Sequence, residues 1–138
     1  KIDTLTPVVI LRSQASELER ITKGVLRGDV TSNLTGDVFW IHQLDVIAPA
    51  LDFYRHRILE VKHAEKFVYP AKVIAPDSDI GSFTGGVVDA ESQEEFENLI
   101  RKVLQSSSLV SVIQSLIARS NELTYAPPPP PDPLKSTG

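Results

Sequence analysis

The chain has 138 residues, 14 Lys and Arg against 18 Asp and Glu, a formal net charge of −4 and no cysteine. That length fits one domain, and the empty cysteine column excludes disulfides, thiol catalysis and Cys-ligated zinc or iron–sulfur centres. A hydrophobic fraction of 41% with 23% charged residues describes a globular chain rather than a disordered one, and the acidic balance speaks against a nucleic-acid module.

Thr6-Pro7 opens a helix, because Thr can cap the first free amides and Pro loses nothing at the first helical position. Val8, Leu11, Ala15, Leu18, Ile21 and Val25 then recur every three or four residues, which predicts a helix over about residues 7–23. Beyond it β-branched and aromatic residues take over. Strands are expected at about 25–33, with Gly28 as a bulge or bend, at about 38–47, at about 51–63 and at about 68–75. Ala48-Pro49-Ala50 separates the second from the third. Residues 76–90 read as a loop with a short edge strand at Val87-Val88.

Ser92 followed by Glu95 is a capping box, and Phe96, Leu99, Ile100, Val103 and Leu104 form one apolar stripe, so a second helix covers about 93–105. Ser108 caps a third helix over about 109–120. Pro127 to Pro131 are five consecutive prolines, and polyproline II is the expectation for a tail over 125–138. Residues 1–124 are thus expected to form a single α+β domain: an N-terminal helix, an antiparallel meander of about four strands, and two C-terminal helices packed on one face. No apolar window of about 18 residues exists, so no membrane span is expected. The chain opens at Lys1 and shows no signal segment; the expectation is a trimmed N-terminus and a cytoplasmic location.

Catalytic motifs are missing: there is no phosphate loop, no G-x-G-x-x-G, no G-x-S-x-G elbow and no H-E-x-x-H. Serine is plentiful, but none sits in a sequence context that would activate it. Histidine is the remaining lead. If the second and third strands pair around Ala48-Pro49-Ala50, His42 lies opposite His56 with Cβ atoms about 5 Å apart, a separation that suits a shared metal or an acid–base pair, with Asp52 or Asp45 assisting. The same register puts Arg55, Arg57 and His63 on the other face beside Gln43 and Asp45, where the two arginines could receive an anion such as phosphate or nucleic acid.

Asp77-Ser78-Asp79-Ile80-Gly81 starts like a calcium loop but lacks the later ligands, and reads as an acidic surface. In the tail, Pro130, Pro133 and Lys135 spell the P-x-x-P-x-basic pattern that aromatic grooves of SH3 type accept. With a complete core and no catalytic constellation, the first expectation is a non-enzymatic protein-interaction domain without a cofactor, binding a protein partner or a second copy through its sheet or its tail. A small metal-dependent or acid–base enzyme at His42 and His56 is the alternative, and an anion binder at Arg55 and Arg57 the next.

Overall fold

The computed structural model describes residues 4–36, 38–81 and 85–124. Its elements follow in the order α1 (Pro7–Ile21), β1 (Arg27–Leu34), β2 (Phe39–Ala48), a 3-10 turn (Pro49–Leu51), β3 (Tyr54–Ala64), β4 (Ala71–Ile74), β5 (Val87–Ala90), α2 (Gln93–Leu104) and α3 (Ser107–Thr124). The strands form one antiparallel meander in the order β1-β2-β3-β4-β5. The α+β class and the order of the helices are those the sequence predicts, but α3 starts at Ser107, which puts Ser108 inside the helix, and Thr6 stands at the start of α1 without a side-chain cap bond. The edge pair Val87-Val88 grows into a full fifth strand, because Ala71 to Ile74 of β4 offers a ladder on that side.

All three helices pack on one face. There Leu44, Val46 and Ala48 of β2, Leu59 and Val61 of β3, and Ala71 and Val73 of β4 meet Leu11 and Ala15 of α1, Phe96, Ile100 and Val103 of α2, and Leu109 and Leu116 of α3. Ser92 caps α2 by accepting from the Glu95 amide at 3.2 Å. Buried Ser106 ends the same helix with a bond from its hydroxyl to the Val103 carbonyl, and α3 starts one residue later.

Two features of the sheet differ from the simplest reading. The chain between β2 and β3 is not a tight hairpin. Its 3-10 turn is followed by Asp52 and Phe53 in the left-handed region (φ 59° and 56°), which delays β3 to Tyr54 and pairs Tyr54 with Ala48. The ladder then steps by one residue: Asp45 pairs with Arg57, but Leu44 pairs with Leu59. Ile58 is the extra residue of this β-bulge, and Ile58 and Leu59 are both buried although they are neighbours in the chain.

Gly28 is neither a bulge nor a bend. It pairs regularly with Val46 and sits under α1, where an added Cβ would stand 2.5 Å from the Ala15 Cα. The missing side chain is what lets α1 settle onto β1. Gly28→Ala forces the helix outward, and overpacking of this kind costs about 1–3 kcal/mol. Urea denaturation should show that loss, and an unchanged unfolding midpoint would contradict the close approach.

Candidate functional site

The step at Leu44 and Asp45 exchanges the two faces of β3. Before it, the even-numbered residues Tyr54, His56 and Ile58 point to the helices; after it, the odd-numbered Leu59, Val61 and His63 do so. His63 therefore leaves the arginine face on which an unbroken register puts it and joins His42 on the helix side. Trp40 pairs with His63, and His42 with Val61. His56 pairs with Val46, four residues along β2 from His42, or roughly 13 Å along the strand. The structure thus brings His42 to His63 and not to His56.

His42 is 4% exposed and His63 8% exposed, and their Nε2 atoms lie 2.9 Å apart. The proton positions follow by elimination for a neutral pair. The Ala64 carbonyl can only accept, so His63 Nδ1 donates to it at 2.8 Å. His63 Nε2 is then an acceptor, and His42 Nε2 donates to it. That leaves His42 Nδ1 to accept from the hydroxyl of Ser32, which faces it across the β1–β2 ladder at 2.7 Å. All four ring nitrogens of His42 and His63 thus have a partner.

Trp40 stacks on His42 with ring centroids 5.9 Å apart and planes within 5°. These side chains form the floor of a cleft of about 240 Å³ whose other wall is the start of α1, with Thr6, Val8 and Arg12. Two bonds hold that wall in place. Leu5 donates its amide to Gln93 of α2 at 2.8 Å, and Tyr69 donates its hydroxyl to the Leu5 carbonyl at 3.0 Å.

The other candidates lie elsewhere. Arg55 and Arg57 stand with Gln43 and Asp45 on the face away from the helices, as expected, and each already bonds carboxylates. Arg55 bridges Asp29 and Asp45 at 2.8 Å each, and Arg57 bonds Asp45 at 2.5 Å and Glu60 at 3.0 Å. Asp45 is 2% exposed beneath the two guanidiniums, and its hydrogen bond to Arg55, joined by that of Asp29, raises the Arg55 pKa. Gln43 extends the network to Glu60. His56 lines a separate cavity of about 530 Å³ with Asp77 and Ser78; its Nε2 is buried without a hydrogen bond, Asp77 being 3.9 Å away. Asp52 is exposed at the turn. Among the described residues no three His, Asp or Glu side chains gather as a metal site requires, and no helix is long and apolar enough to cross a membrane. Pro130, Pro133 and Lys135 lie outside the described residues. Comparison with protein-family models, with curated proteins and with solved structures finds no match to the chain.

Burial, followed by the charges of His63 and Arg12, lowers the His42 pKa from 6.5 to about 4. Below pH 6.5 the unfolded chain therefore binds a proton that the folded chain refuses. Stability contributed by neutral His42 is complete above pH 6.5 and drains away as the pH falls towards about 4, by about 3 kcal/mol in all. Urea midpoints taken through this range should fall more steeply for the wild type than for His42→Gln. Parallel curves for the two proteins would contradict a buried neutral imidazole.

Proposed function

We propose that the chain is a small interaction domain that receives a protein partner on the face of its sheet opposite the helices. None of the described helices lies over that face. In the β1–β3 part, Asn33, Ile41 and Lys62 make one row, Thr31, Gln43 and Glu60 the next, and Asp29, Asp45 and Arg57 a third. Half-buried Phe39, Ile41 and Ile47 from β2 and Ile74 from β4 flank the charges, and Lys62 lies 4.6 Å over the Phe39 ring.

The observation that carries the reading is Asp45. A carboxylate that is 2% exposed on an otherwise uncovered face, bound by two arginines, is a polar arrangement fixed before any partner arrives. Fixing donors and acceptors in advance removes part of the ordering cost of association. Aliphatic side chains beside such a patch supply apolar area. The same pairing speaks against a polyanion partner, since Asp29, Asp45 and Glu60 offset the charge of the two guanidiniums.

The test compares affinity capture and oligomeric state of the wild type with Ile41→Glu on this face and Val9→Glu on exposed α1. The expected result is a partner, or a second copy, whose binding weakens at least about tenfold in Ile41→Glu, as a charge set into the middle of an interface does, and persists in Val9→Glu. A concentration-independent monomer with no partner sensitive to Ile41→Glu would overturn the reading.

A further inference from the structure

We propose that Ser32 is an activated nucleophile for acyl transfer from small carboxylic esters, with His42 as its general base and His63 as a positioning residue. The inference concerns the helix side of the sheet and does not depend on the partner face. Its ground is the hydrogen-bonded order of the three side chains: Ser32 Oγ to His42 Nδ1 at 2.7 Å, His42 Nε2 to His63 Nε2 at 2.9 Å, and His63 Nδ1 to the Ala64 carbonyl at 2.8 Å. A hydroxyl within reach of an imidazole, itself held by a third group, is the arrangement that activates serine, and it is recognised by geometry and not by position in the chain. The carbonyl of Ala64 does for His63 what His63 does for His42, fixing the tautomer that the next link needs.

Placement supports the same role. Ser32 lies on β1, the outermost strand of the sheet, and is exposed, whereas its base is buried. A substrate can therefore reach the hydroxyl while the imidazole stays out of water. The cleft beside it is small, about 240 Å³, and offers Trp40 and Val8 as apolar walls, which suits a short acyl group. Arg12 lines the same cleft, where a guanidinium can meet the oxyanion of a tetrahedral intermediate.

The chemistry balances without any further reagent than water. Ser32 Oγ forms a bond to the acyl carbon as its proton passes to His42 Nδ1. The bond from that carbon to the alcohol oxygen then breaks, and the leaving oxygen takes the proton. Water attacks the acyl-serine, gives its proton to His42, and the carbon–Oγ bond breaks as Ser32 recovers that proton. An ester and water become an acid and an alcohol.

The experiment treats the folded full chain with an alkyl fluorophosphonate and locates the adduct by peptide mass mapping. The expected result is a single adduct on Ser32, absent from the urea-unfolded chain and from Ser32→Ala, and formed more slowly by about tenfold or more in His42→Gln. His63→Ala should slow labelling as well, while His63→Gln, whose amide oxygen can accept from His42 Nε2, should restore part of the rate in a chain with the same circular dichroism. Ser32 is exposed on an outer strand, so Ser32→Ala tests the nucleophile without endangering the fold. No adduct on Ser32 above that of the unfolded chain, or labelling indifferent to His42→Gln, would overturn the proposal.

Discussion

Between Leu44 and Asp45 the pairing of β2 with β3 steps by one residue, and the side chains on both faces of the sheet take their places from that step. Strand side chains alternate, so one additional residue moves everything beyond it to the other face. Ile58 is accommodated because it and Leu59 both enter the core, where they are 5% and 1% exposed. The bulge keeps apolar area out of water on both sides of itself. As a consequence Arg55 and Arg57 stay outside over Asp45, and His63 turns inside to meet His42.

The two sites that result handle polar groups in opposite ways. On the open face a charge is buried and is stabilised by being surrounded: Asp45 receives donors from two arginines, which Asp29 and Glu60 hold in turn. On the helix side Ser32, His42, His63 and the Ala64 carbonyl form a chain of donors and acceptors that closes without a carboxylate. A neutral imidazole is buried at lower cost than an imidazolium. The depressed pKa of His42 is the same fact seen from solution. Helix α1 belongs to this arrangement. Gly28 admits it close to β1, Gln93 and Tyr69 tie down Leu5 two residues before it, and Thr6, Val8 and Arg12 are thereby set against the imidazoles.

The helices were legible in the sequence because their signals are local. The Ser92–Glu95 box and the apolar stripes of α1 and α2 each lie within a few turns of chain; the Glu95 amide bonds the Ser92 hydroxyl, and the stripes enter the core. Strand register is not local. It depends on where the turn after Ala48 ends and on whether the strand is continuous, and Phe53 follows Asp52 into a left-handed conformation that a bulky aromatic residue does not advertise. One signal was present: in Arg55-His56-Arg57-Ile58-Leu59-Glu60-Val61-Lys62-His63 the apolar positions change from even to odd at the adjacent pair Ile58-Leu59. Read as a bulge, that change sends His63 to the helix side. Ser32 had no signal of its own, because its neighbours in sequence say nothing about the imidazole that faces it from β2.

The proton arrangement along Ser32, His42, His63 and Ala64 is the most direct consequence of the register, and nitrogen-15 NMR of the imidazole rings at neutral pH reads it. The structure predicts two different neutral tautomers, His42 protonated at Nε2 and His63 protonated at Nδ1. His63 protonated at Nε2, or a His42 ring that carries two protons at pH 7, would contradict the chain of hydrogen bonds and the pairing of β2 with β3 that creates it.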